Sequence, residues 1–156
     1  MAAPAHDISG EWDEILTRAG AEMCAALGMG THSVDSRCDQ LPPGRMGACV
    51  PLVGALQLQL VVLSTNTGVR AMAERLVHHE EGDEPLSRDD IADAISELAN
   101  QFGGLTKRGL SKVGDLRLGL PVFVRGTLTP PAGANVYAHE VRWGEIPLLL
   151  AIIVSG

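Results

Sequence analysis

The chain has 156 residues, 46% of them apolar and 20% charged, which is the composition of a folded globular protein and not of a disordered one. That length suits one domain with a sizeable core, burying roughly 70% of its extended-chain surface. Twelve basic and nineteen acidic residues give a formal net charge of −7, which argues against a nucleic-acid role because phosphate backbones reward basic surfaces.

The opening MAAPAHDISGEWDE is acidic and has no apolar targeting core, so it does not read as a signal peptide. Residues 1–10 are expected to form a loose leader and 11–156 a single domain. From Trp12 the apolar positions Trp12, Ile15, Leu16, Ala19, Met23, Ala26 and Leu27 recur at steps of three and four, predicting a helix that Gly28 and Gly30 end. His32, Asp35, Cys38 and Asp39 form a small polar cluster in what reads as an irregular strand, without a second ligand group at zinc spacing. LPPGRMG, Leu41 to Gly47, is a turn. Strands follow at Ala48 to Val53 and Leu56 to Leu63, bent at Gly54. In the second, Leu56, Leu58 and Leu60 alternate with Gln57 and Gln59. A helix fits Thr67 to His79. The adjacent His78 and His79 would point about 100° apart, which suits a solvated helix end better than a metal site.

After the acidic linker Glu80 to Ser87, Ser87 and Asp90 make a partial capping-box match for a helix from Arg88 to at least Phe102. Gly103 and Gly104 weaken that helix, which can resume through Leu110. The remainder reads as strand at Asp115 to Arg125, Asn135 to Trp143 and Ile146 to Val154, with Pro121 marking a bulge, bend or edge. The apolar run Leu148 to Val154 is far short of the ~20 residues that span a bilayer and reads as a buried strand. Three scattered cysteines, Cys24, Cys38 and Cys49, with no CxxC pair, read as reduced thiols of a cytosolic protein. Gly28-Met29-Gly30 is no dinucleotide fingerprint, and no phosphate-loop lysine is present.

Helix, loop and hairpin occur twice. Shifting the first hairpin by ninety residues lays Gly54 on Gly144, and Leu56, Leu58, Leu60 and Val62 on Ile146, Leu148, Leu150 and Ile152. The expected fold is α+β: a two-layer sandwich of long helices on a mainly antiparallel sheet, pseudo-duplicated. Any two apolar hairpins would align about as well, so the pattern alone leaves an accidental likeness open.

The stretch DAISELANQFGG carries the least ordinary face. With Asp93 at 0°, Glu97 falls near 40° and Asn100 near −20°, while Ile91, Ile95, Leu98, Phe102 and Leu105 fall at roughly 120° to 200°. Core packing does not demand this polar trio. Neither acid has a cation four residues on, and a mid-helix Asn is a poor helix former. The same trio also suits the solvated face of an ordinary helix. Two carboxylates on one convex helix lack the cleft of a hydrolytic pair and a histidine partner for a metal. An amide beside a carboxylate suits reaching into a partner, where Asn orients a water and Glu pairs with a cation.

D-x-x-x-E-x-x-N with a later proline strand resembles the signature of the CheC/CheX chemotaxis phosphatases. Asp93, Glu97, Asn100 and Pro121 match it, and the resemblance covers about residues 11 to 155. It implies dephosphorylation of the phospho-aspartate of a CheY-type response regulator, with Asn100 orienting the attacking water and Glu97 pairing with the regulator's lysine. It implies supporting roles for Asp93 and Pro121, no cofactor of the chain's own, and a magnesium ion supplied by the bound regulator. The first helix departs from the two-site members: Glu14 is followed by Thr17 and Glu22 by Ala25, with no Asn in either place. This one-site pattern resembles CheX, whose members are homodimers. The resemblance therefore implies a cytoplasmic homodimer with no nucleic-acid or membrane partner. A non-catalytic regulator-docking module or a structural dimer remains an alternative reading of the same residues. Lys107, Arg108 and Lys112, one to two turns past Asn100, are either solvated or help dock an acidic regulator surface.

Overall fold

A computed structural model describes residues 9–155. Most of the expected leader, 1–8, lies outside the described residues, while Ser9 and Gly10 already belong to the first helix. The chain runs α1 (Ser9–Leu27), β1 (His32–Cys38), β2 (Arg45–Gly54), β3 (Gln57–Ser64), α2 (Asn66–Leu76), α3 (Arg88–Gly109), β4 (Leu116–Leu118), β5 (Val122–Gly126), β6 (Asn135–Trp143) and β7 (Ile146–Val154). The fold is α+β: three helices and one sheet ordered β1-β6-β7-β3-β2-β4, with β5 also pairing β2. Every strand pairing among the described residues is antiparallel.

The helices lie on one face of the sheet, α1 over β1, β6 and β7, and α3 over β2 to β5. The apolar stripe read from the sequence is what they bury: Trp12, Leu16, Ala19 and Met23 from α1, and Ile91, Ile95, Leu98 and Phe102 from α3. Against them stand Val50, Leu60, Val62, Leu150 and Ile152 of the sheet. Alternate residues of the central strands point the other way. Val61, Leu63, Leu149, Ala151 and Ile153 form a second buried cluster, covered by Leu41, Leu128 and Ala134. Both faces of β7 are therefore buried within one chain, which accounts for its unbroken apolar run without a partner.

Local chemistry fixes the helix ends. Ser87 Oγ accepts from Asp90 N at 3.0 Å and Asp90 Oδ2 from Ser87 N at 3.2 Å, a complete capping box. At the end of α1, Gly28 sits at φ 63. Met29 N donates to Cys24 O and Gly28 N to Ala25 O, both at 3.1 Å, which is a Schellman closure. The end of α2 closes in the same way, but with His78 at φ 56 where glycine is favoured.

One sequence expectation needs correction. The strand expected over Asp115 to Arg125 is broken into β4 and β5: Leu118 pairs with Leu52 and Val122 with Cys49, so three residues on one strand oppose two on the other. The bulge falls at Pro121, which has no N–H to give, and Gly119 N closes it onto Pro51 O at 2.8 Å. The helix does continue past Gly103 and Gly104, and α3 runs unbroken for 22 residues.

Candidate functional site

α3 presents the polar trio as its periodicity dictates. Asp93 and Glu97 are exposed and Asn100 is half-buried, on the side opposite Ile95, Leu98 and Phe102. Among the described residues none of the three is engaged in a side-chain hydrogen bond or ion pair. The capping box and the buried stripe hold the helix, so the outward groups stand on a rigid support with their polar atoms free.

The helix joins the trio to the proline strand. Gly103 follows Asn100 by three residues, and a Cβ built there would lie 2.3 Å from Leu118 Cδ1 and 3.4 Å from Val50 Cγ1. The Leu118–Val122 bulge with Pro121 therefore lies beside α3 next to the trio. This flank is apolar: Leu120 is 84% exposed and Val122 56%. Periodicity could not find it, because the exposed leucine belongs to a bulge with no regular period. On the C-terminal side the stripe continues through Gly104 to Lys107 and Arg108, both exposed. Lys107, Arg108 and Arg117 rim an open recess of about 1050 Å³ lined by Gly54, Gly104 and Gly114.

The other candidate groups are dispersed. His32 accepts from Trp143 Nε1 at 3.1 Å, Asp35 pairs with Arg142 at 3.0 Å, and Cys38 packs on the second core cluster. His79 bonds the Glu84 carbonyl at 2.9 Å just past the end of α2. Among the described residues no group of three or more His, Cys, Asp or Glu side chains is placed to hold a metal ion. All three cysteines are free, and burial raises each thiol's pKa above its ordinary value, which favours the protonated form. Among the described residues no helix is long and apolar enough to cross a membrane.

A network without a periodic signature ties α1 to the sheet. Asp13 Oδ1 meets the buried His139 Nε2 at 2.7 Å and also binds Arg37. Burial pushes the Asp13 carboxyl up, but its hydrogen bonds with His139 and Arg37, and their charges, outweigh that and hold it below its ordinary pKa. Burial pushes His32 down, with His139 adding to the shift.

The family model described as "Chemotaxis phosphatase CheX" matches residues 46–138, more than half of the chain. No curated protein sequence matches significantly. Among solved structures the chain resembles a chemotaxis protein CheX from Desulfovibrio desulfuricans, with 15% identity, a TM-score of 0.79, and 93% of this chain and 99% of that one covered. The CheX–CheY–BeF3–Mg complex from Borrelia burgdorferi gives 13% identity and a TM-score of 0.74, covering 92% and 96%. The FliM middle domain from H. pylori gives 10% identity and a TM-score of 0.67, covering 97% and 93%.

Proposed function

The chain belongs to the CheX family of chemotaxis phosphatases, and from that premise we propose that it dephosphorylates the phospho-aspartate of a CheY-type response regulator. The observation that carries this reading is the free trio on α3: the exposed Glu97 carboxylate stands one turn from the half-buried Asn100 amide on a rigid helix, with neither engaged among the described residues.

In the proposed reaction a water oxygen attacks phosphorus in line, the P–O bond to the aspartate breaks, and aspartate carboxylate and inorganic phosphate leave. Asn100 accepts one hydrogen bond from that water and donates another to the transferring group, fixing the water's position. Glu97 pairs with a lysine of the regulator. Asp93 supports the face, and Pro121 shapes the strand flanking it. Magnesium comes with the regulator, a division supported by the composition of the Borrelia complex. Phosphoryl transfer is mainly positioning and charge neutralisation, so a few well-placed groups suffice.

The one-site reading is supported by α1. Ala19, Gly20, Met23 and Cys24 are buried in the pattern of Ala94, Ile95, Leu98 and Ala99. Glu22 then falls where Glu97 stands and Ala25 where Asn100 stands, so the amide is missing from the first half. An internal duplication belongs to the same proposal. β3 and β7 pair with Val61 opposite Ala151, positions related by the ninety-residue shift. β1 pairs with β6 while β4 and β5 pair with β2, so each half lends a strand to the other. In that reading the long helices and the sheet form the two layers of a pseudo-symmetric sandwich. We place the protein in the cytoplasm, where its regulator substrate resides, as a homodimer without nucleic-acid or membrane partners. The open edge at β4 and β5, with exposed Leu118, Leu120 and Val122, supports association.

The test is binding and turnover together: titration against the organism's CheY-type regulators loaded with beryllofluoride and magnesium, beside decay of the radiolabelled phospho-forms. Faster decay with one regulator supports the reading. Tight binding without faster decay replaces it with a docking module.

A further inference from the structure

α3 carries two adjacent glycines with opposite surroundings. At Gly103 a Cβ would collide with Leu118 Cδ1, so packing against the sheet excludes a side chain. At Gly104 a Cβ would meet nothing within 4 Å, and the residue lies inside an unbroken helix with no left-handed φ to satisfy. Glycine is a poor helix residue, and alanine or glutamine would fit there and hold the helix better. Neither packing nor backbone conformation within the chain accounts for Gly104.

Its placement does. Gly104 follows Asn100 by four residues, about 20° around the helix from Asp93, between the trio and the cations Lys107 and Arg108. It lines the recess whose rim carries Lys107, Arg108 and Arg117, with Asp115 as the acid among them. Among the described residues none of the three cations is paired with a carboxylate. Lys107 and Arg108 sit in the last turn of α3, where the helix dipole favours cations, but that explains neither Arg117 on β4 nor the bare backbone at Gly104. In a chain of net charge −7, an unpaired basic rim beside a side-chain-free stretch of helix fits an acidic partner surface that comes close to the main chain.

We infer that Gly104 is the close-approach seat of the site: an acidic segment of the regulator, beside its phospho-aspartate, lays its main chain on α3 at Gly104 and is held by Lys107, Arg108 and Arg117. The missing Cβ sets how near the regulator's main chain comes to α3, and so how tightly it docks. This rests on the dephosphorylation reading above and names the partner chemistry of that same site.

The experiment records thermal midpoints and phospho-regulator decay for wild type, Gly104→Ala, Gly104→Gln, the Lys107→Glu/Arg117→Glu pair, Asn100→Ala, and Ala21→Gln on the exposed face of α1 as a control. The regulator is the organism's CheY-type protein labelled by radioactive acetyl phosphate. Both Gly104 variants should melt about 2–4 °C above wild type. Their KM should rise, roughly tenfold for alanine and at least ~100-fold for glutamine, with kcat changed less; Asn100→Ala should do the reverse. The charge-reversed pair should raise KM and flatten its salt dependence. Gly104 variants that melt higher yet keep wild-type KM overturn the inference and leave the dephosphorylation reading standing. Variants that melt lower assign Gly104 to folding and also overturn it. A wild-type protein that leaves decay unchanged overturns the dephosphorylation reading and this inference with it.

Discussion

Asn100 needs only position to act, because an amide has no titratable proton and can accept from the water while donating to the transferring group. Glu97 acts through charge. Glu97→Ala should therefore weaken binding to the beryllofluoride-loaded regulator by at least roughly tenfold, about 1.4 kcal/mol, because it leaves the partner's cation unpaired in the interface. Asp93→Ala should do least; a titration in which Asp93→Ala weakens binding more than Glu97→Ala would reverse their proposed roles. Asp13 gives a pH prediction. Its folded pKa lies below its ordinary value, so its contribution to stability is present above the unfolded carboxylate pKa and is lost as pH falls through the folded one. The difference in melting temperature between wild type and Asp13→Asn should be widest near neutral pH and should close below about pH 4. A difference that holds constant from pH 7 to pH 3 would contradict this. At this scale the trio was legible because one helical period orders it. The Asp13–His139 contact was not, since the two residues are 126 positions apart and their contact depends on how α1 crosses β6.

At the scale of elements, helices reveal themselves through repeating apolar steps and through caps. Ser87 and Asp90 were readable as a start, and both hydrogen bonds of the box are formed. His78 was not readable as the left-handed residue closing α2, because its sequence holds no glycine there to mark the end. His78→Gly should relieve about 1 kcal/mol of left-handed strain and raise the melting temperature by about 2–4 °C. A lower midpoint would mean that the imidazole makes a compensating contact. The edge strands were the hardest to read. β1, HSVDSRC, has no clean alternation, and its partner β6 lies some hundred residues on, with a register shift between Val34 and Ser36. β4 is only three residues long. Pro121 was legible as a disturbance, and only the pairing with β2 shows it to be a bulge.

For the whole molecule, the alternation of β3 and the apolar run of β7 predicted a sheet with helices on it, and the structure is that α+β arrangement. The apolar run alone could not say what covers its second face. Leu41, Leu128 and Ala134 do so from loops whose sequences carry no periodic signal. The proposed homodimer is therefore argued from the exposed β4–β5 edge. Light scattering at micromolar concentration should give about twice the chain mass of 16.4 kDa, and Leu120→Lys should shift it toward the monomer. A mass near 16.4 kDa for the wild type would contradict the dimer without touching the α3 site.

The central claim is that Asn100 positions the water that attacks the regulator's phospho-aspartate. Its most direct test is the decay of one radiolabelled phospho-regulator with wild type and with Asn100→Ala, at concentrations where titration shows both to be saturated. The account predicts retained binding, an intact helix because alanine favours it, and turnover lowered by at least ~10²-fold. An Asn100→Ala protein that dephosphorylates as fast as wild type would contradict it.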